Sequence, residues 1–348
     1  MPPAARLRLS PLDAHLPLMD AARPEFAYTL GTPVAAWQRR LRPRLARLLG
    51  YDGMPRGAER RPLAVRSLWR RASFRGLGSV EKIAFTSERG ADVPAYVCLP
   101  ANAEPPYSWA ICLQGHSTGM HNSLAMERGD ETTPIESEGD RDFAVRALRE
   151  GFAALCIEQR GFGERIENPQ AAPNTDCYDA TMRALMLGRT MIGERVYDVD
   201  RGLDYLATRS DVDWRRVGVL GNSGGGTVAT YAAALLPRLR FAIPSCAVCT
   251  FRDSIMTIHH CLCNHVPGIY AVADMGEVAG LFAPRPMVVV AGAQDDIFPL
   301  KGVRRAYRGL RAIYRAADAE RHCALVVGDG GHRFYADGAW AALRRMIG

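Results

Sequence analysis

The sequence predicts an α/β fold: a mostly parallel sheet with helices on both faces, preceded by a helical N-terminal extension. Three observations carry that prediction. Short apolar runs alternate with longer stretches of helical spacing through most of the chain. The runs are continuously apolar, as in strands buried on both faces, and helices between them imply right-handed parallel crossovers. Finally, Gly221-Asn222-Ser223-Gly224-Gly225 stands between the run Val217-Gly218-Val219-Leu220 and the small-residue stretch Thr227 to Leu235, which reads as strand, tight turn and helix with one serine at the apex.

In chain order, residues 1–76 read as helical or irregular. Thr32-Pro33 signals a helix start before Val34-Ala35-Ala36-Trp37, Leu41, Leu45, Leu48 and Leu49 follow at helical spacing, and Gly50 closes the helix. Strand patterning begins in Val80 to Thr86 and again in Val93 to Pro100, joined by the turn-forming Arg89-Gly90-Ala91-Asp92, and predicts a hairpin at the edge of a larger sheet. Next come strands over Trp109–Leu113, Ala153–Ile157, Val217–Leu220, Phe241–Ile243, Pro286–Ala291 and Ala324–Val327. Helices are expected over Phe143–Arg149, Arg195–Thr208, Thr227–Leu236 and Val303–Ala317. The loop from Gly115 to Asp142 is long enough to shape a pocket rim. With 348 residues, 48% of them apolar, and neither a repeat nor a low-complexity linker, the chain divides into an extension over 1–76 packed on one α/β domain over 77–348.

The turn at Ser223 has the form of a nucleophile elbow. It forces the serine into a strained backbone conformation, needs glycines two residues to either side, and leaves Oγ exposed. A phosphate-binding loop would need a lysine after its last glycine, where Thr227 follows Gly226, and the dinucleotide fingerprint lacks its glycine spacing. A serine hydrolase is therefore expected, with an acid and a histidine at the ends of two later strands. Pro286 to Val290 leads into Gly292-Ala293-Gln294-Asp295-Asp296, and Ala324 to Val327 leads into Gly328-Asp329-Gly330-Gly331-His332. His332 is the expected general base. Asp295 is favoured as its partner over Asp296, which is placed to cap the turn before Pro299, while Asp329 reads as a turn former. The expected oxyanion donors are the backbone N–H of Gly224 and one from the loop Leu113 to Gly119, nominated as that of His116.

Residues from about 78 to 340 resemble the α/β-hydrolase superfamily, in the branch of acetyl xylan esterases, cephalosporin C deacetylases and dienelactone-hydrolase-like proteins. Carrying the resemblance are Arg195 to Arg209, Val212 to Gly218 and Gly221 to Thr227, which lead into and through the elbow. Glu158-Gln159-Arg160-Gly161-Phe162-Gly163-Glu164-Arg165, Ala283-Pro284-Arg285-Pro286 and Cys261-Leu262-Cys263 to Pro267-Gly268 add to it. It implies an α/β-hydrolase fold and an acyl-serine ester hydrolase favouring short acyl groups, with a small-molecule ester as substrate and no cofactor. Gln114, Phe162 and His260 are candidate substrate contacts. The family's usual His-Gly before the oxyanion residue is Gln114-Gly115 here, and a serine nucleophile disfavours dienelactone hydrolases proper, which use cysteine. Residues 1–76 lie outside the resemblance; such extensions form part of a cap or a subunit contact, so a capped C–C bond or specialised-metabolite hydrolase is the alternative, followed by a non-catalytic scaffold.

His259-His260-Cys261-Leu262-Cys263-Asn264-His265 invites a metal reading, since thiolates and imidazoles are zinc ligands. Its spacing lacks the paired arrangement of structural zinc sites, so no metal is expected, and the cluster reads as small thiols packed beneath the pocket with a histidine near substrate. Nine cysteines, mostly in apolar runs such as Ile111-Cys112-Leu113, behave as small core residues of a reducing compartment, the cytoplasm. The net charge of +7 comes from residues 1–80, which hold fifteen Arg against five acidic residues. Those arginines are spaced along amphipathic stretches and are not gathered in a run with interleaved aromatics, so a solvated face or self-association is expected and nucleic-acid binding is not. No apolar stretch approaches the roughly 20 residues of a membrane span.

Overall fold

The structure is a computed structural model that describes residues 7–167 and 177–348. Helices α1 (Pro11–Ala21) and α2 (Val34–Leu48) come first, then strands β1 (Arg66–Phe74), β2 (Gly78–Glu88), β3 (Ala91–Pro100) and β4 (Tyr107–Leu113). Short α3 (His121–Leu124) and α4 (Phe143–Arg149) lead to β5 (Ala153–Ile157); α5 (Tyr178–Met186) and α6 (Met191–Ala207) lead to β6 (Val212–Asn222). After α7 (Gly224–Leu235) and β7 (Phe241–Ser245) come α8 (Ile269–Val272), α9 (Met275–Gly280), β8 (Met287–Gly292), α10 (Leu300–Ala316), β9 (Cys323–Gly328) and α11 (Ala336–Ile347). No helix among the described residues is long and apolar enough to cross a membrane.

The nine strands form one sheet in the order β1-β2-β3-β5-β4-β6-β7-β8-β9. From β5 to β9 every pairing is parallel, while β1, β2 and β3 are joined antiparallel. The pleat divides the strand residues between two cores. Trp109, Ile111 and Leu113 face one with Val219 and Val289, against α2, α6, α7, α9 and α10. Ala110 and Cys112 face the other with Leu220 and Val288, against α3, α4 and α11. The central strands must be apolar on both faces, which is why these segments read as unbroken apolar runs.

Two details depart from the sequence reading. The segment before residue 77 contains α1 and α2 but ends in a strand: β1 pairs with β2 from Arg66↔Ala84 to Phe74↔Gly78. Most of its side chains are exposed on both faces, so it carries arginines where an alternating pattern would show apolar residues. The β2–β3 hairpin therefore lies one strand inside the edge that it was expected to form. Positive side chains suit an edge strand, since they discourage pairing with another chain.

Helix α2 is fastened to the main domain by its own side chains. Gln38 Nε2 donates to the carbonyls of Gly280, Leu281 and Ala283, and Arg42 donates to those of Ala234 and Leu281. Leu41 and Leu45 are fully buried. Those partners lie at the end of α7 and in the turn after α9, away from the serine's loop.

Candidate active site

Chain order reverses beside β4: β5 lies on one side of it and β6 on the other. In an open parallel sheet, loops at the carboxyl ends of strands diverge at such a point and leave a crevice. The loops after β4, β6, β8 and β9 carry His116, Ser223, Asp295 and His332, so all the candidate catalytic positions open at the same end of the sheet.

Ser223 stands between β6 and α7 with φ 56° and ψ −122°, a conformation that costs a non-glycine residue on the order of 1–3 kcal/mol. Its neighbours make the turn feasible. A Cβ on Gly225 would collide with the Leu113 carbonyl, and one on Gly221 with the backbone of Gly225, so both flanks must be glycine. The Ser223 N–H donates to the Ser245 carbonyl at 2.9 Å, locking the turn to the end of β7. Ser245 Oγ reaches the Arg333 carbonyl at 3.4 Å and thereby brings the His332 loop beside the elbow.

His332 Nδ1 lies 2.9 Å from Asp295 Oδ2. Asp295 is 4% exposed, and its Oδ1 accepts the N–H groups of Ile297 and Phe298, each at 2.9 Å. Burial acts to raise its pKa, but the hydrogen bond and charge of His332, with the two backbone donors, outweigh burial and hold the carboxyl below the usual carboxylate range. Asp296 is exposed and Asp295 is not, which separates the two candidates; Asp329 is exposed as well. Phe298 stacks on the His332 ring at 6.0 Å, and His332 Nε2 is buried with no partner among the described residues. The imidazole is thus oriented through one nitrogen and left available at the other.

Gly224 opens α7, and neither its N–H nor that of His116 has a backbone acceptor among the described residues. The His116 ring sits against Gly224, within 3 Å of where a Cβ there would be. It packs edge-on to Phe162 at 4.8 Å.

The three proposed substrate contacts turn inward instead. Gln114 is buried, and its amide donates to Ser123 Oγ at 2.8 Å and the Arg141 carbonyl at 2.7 Å, tying down the long loop after β4. Phe162 is 1% exposed beneath His116, with the Arg195 guanidinium 4.1 Å above its ring. His260 is 9% exposed; its Nε2 meets Ser254 Oγ at 3.0 Å, its ring packs edge-on to Phe298, and burial pushes its pKa down to about 4. It supports the residue that stacks on His332. Polar side chains near an elbow look the same in sequence whether they face a pocket or hold its wall.

Two residues were missed. Phe298 covers His332, and Cys246 lies with Asp295 and His332 so that their polar atoms fall within 4.8 Å of one another. Burial pushes the Cys246 thiol up to about 12, so it stays neutral. Its signal was faint, a cysteine at a strand end.

Comparison with known proteins agrees with this fold. The sequence model of the Abhydrolase family matches residues 17–322. YtaP of Bacillus subtilis (strain 168) is 28% identical over 294 residues, 84% of this chain and 92% of its own. Among solved structures, a glucuronoyl esterase from Solibacter usitatus superposes with a TM-score of 0.65 at 16% identity, covering 94% of this chain and 100% of that one. An acetyl xylan esterase from Paenibacillus sp. R4 gives 0.56 at 18% identity, covering 95% and 98%.

Proposed function

The chain belongs to the Abhydrolase family, and we propose that within it the protein is a serine-dependent carboxylic-ester hydrolase favouring short acyl groups. One observation supports this reading above the rest: His332, paired with Asp295 and with Nε2 unpartnered among the described residues, stands in a loop bonded through Ser245 to the elbow that presents Ser223.

In the proposed reaction, Ser223 Oγ attacks the ester carbonyl while His332 Nε2 takes its proton. Asp295 keeps the Nδ1–H tautomer in place and stabilises the imidazolium, a task suited to a carboxylate that stays ionised. The N–H groups of Gly224 and His116 hold the oxyanion; losing one such donor costs roughly 100- to 1,000-fold in kcat. His332 returns the proton to the leaving alcohol, and the acyl-serine is then hydrolysed by water along the same route in reverse. The neighbours named as glucuronoyl and acetyl xylan esterases are carbohydrate esterases by name, and we propose an ester of the second kind, with a small acyl group on a carbohydrate alcohol, as substrate.

The test is hydrolysis of p-nitrophenyl esters from acetate to octanoate by the wild type and by Ser223→Ala. Turnover highest on acetate and abolished in the variant is expected. A preference for octanoate would overturn the short-acyl reading, and full activity of Ser223→Ala would overturn the serine mechanism.

A further inference from the structure

Beneath the oxyanion loop, segments remote in sequence bring three thiols and an imidazole together. His116 Nε2 lies 3.0 Å from Cys263 Sγ, and Cys177 Sγ lies 2.9 Å from Cys261 Sγ. All four potential donor atoms fall within 4.8 Å of one another. Cys177 and Cys263 are buried, while His116 and Cys261 are partly so. We propose that His116, Cys177, Cys261 and Cys263 bind one Zn2+ ion in a closed structural site beside the serine elbow.

Geometry is the first support. Zinc bonds of about 2.3 Å to sulfur and about 2.0 Å to nitrogen, arranged tetrahedrally, place the donors about 3.5–3.8 Å apart. The observed separations bracket that range, so small side-chain rotations would let all four meet one ion.

Charge is the second. Arg195 is 1% exposed, and its guanidinium contacts only the Arg160 carbonyl, the face of Phe162 and Cys263 Sγ, at 3.2 Å, with no carboxylate within reach among the described residues. A buried cation without a counter-ion is strongly disfavoured. Three cysteines that release their protons on binding Zn2+ give a site of net charge −1, a counter-charge for Arg195 where the described residues supply no carboxylate. Other buried arginines nearby are paired in the ordinary way: Arg160 with Glu88, Glu194 and Asp198, and Arg165 with Asp198.

The cluster around Cys261-Leu262-Cys263 lacks the second, distant pair of a structural zinc site, and for that reason the sequence reading set metal aside. The missing donors come from elsewhere. Cys177, 84 residues before Cys261, stands at the start of α5, and His116, 147 residues before Cys263, stands in the loop after β4. Four protein donors leave no open position, so the ion's role is to fasten three loops together. One of them carries the His116 N–H nominated for the oxyanion, whichever ester or other substrate the site takes.

Zinc per chain would be measured by elemental mass spectrometry on protein produced with zinc and purified under reductant without chelator. About one ion per chain is expected in the wild type and in Cys323→Ser, a buried thiol on β9 outside the cluster, with near-complete loss in Cys261→Ser and Cys263→Ser. Should the serine variants fail to fold, wild-type protein exchanged into Co2+ supplies the second readout: tetrahedral ligand-field bands with intense thiolate-to-cobalt charge transfer are expected. Zinc-free wild type that shows no such bands under reductant would overturn the proposal. So would a Cys177–Cys261 disulfide in air-exposed protein that also binds neither metal once reduced.

Discussion

Asp295 and Asp296 are neighbours in the chain with opposite surroundings, and the difference decides what each can do. Asp295 is buried with both carboxylate oxygens engaged, Oδ1 by the Ile297 and Phe298 N–H groups and Oδ2 by His332; Asp296 faces solvent. Asp295→Asn is expected to lower kcat for ester hydrolysis by about 10⁴-fold, since the amide favours the wrong imidazole tautomer, and Asp296→Asn to leave it unchanged. Steady-state kinetics of both variants check this, and equal losses would mean that the assignment is mistaken. Glu158 gives a prediction about stability. Burial pushes its pKa up to about 8, although the N–H groups of Glu164 and Met120 act against the shift. A raised folded-state value means that its contribution to stability is complete below the ordinary 4.5 and is lost as pH rises through about 8. The unfolding free energy of the wild type, from urea titrations, should therefore fall between about pH 6 and about pH 9 by an amount on the order of a few kcal/mol, and the fall should be smaller in Glu158→Gln. An identical fall in the variant would show that Glu158 is not the group responsible.

At the scale of elements, the elbow was legible because its constraints are local: an apolar strand, two obligatory glycines, one serine and a small-residue helix in succession. The strand-end positions of Asp295 and His332 were legible for the same reason. Strand β1 was not, because an edge strand exposed on both faces has no burial to impose a pattern on its side chains. The placement of α2 was also beyond the sequence, which showed an amphipathic helix without saying what its apolar face meets. In the structure that face meets α7 and the turn after α9, and none of its hydrogen bonds runs to Ser223, Asp295 or His332. Leu45→Ala should accordingly destabilise the fold by about 2–5 kcal/mol. Gln38→Ala, which strips a donor from three buried carbonyls, should cost about 1–3 kcal/mol. Neither should change KM for small esters, as denaturation and kinetics on the same preparations would show. A raised KM in either would mean that α2 shapes the substrate pocket, as a cap would.

For the molecule as a whole, the sheet order puts the chain reversal beside β4, and the loops that diverge there bring residues more than two hundred positions apart, such as His116 and His332, to one end of the sheet. Fold class followed from runs that must be apolar on both faces, a property of each segment by itself. Convergence is different in kind. That His116 and Cys177 would arrive beside Cys261 and Cys263, or that Gln114, Phe162 and His260 would turn inward, depends on loop paths that no local pattern encodes. An activated serine at the elbow is tested most directly by a fluorophosphonate, an electrophile that phosphonylates serines activated in this way. Intact-mass and peptide analysis should find one adduct per chain on Ser223 in the wild type, blocked by prior incubation with a short-chain ester and absent from Ser223→Ala and His332→Ala. Wild type that stays unlabelled while hydrolysing esters, or an adduct that maps to another residue, would contradict it.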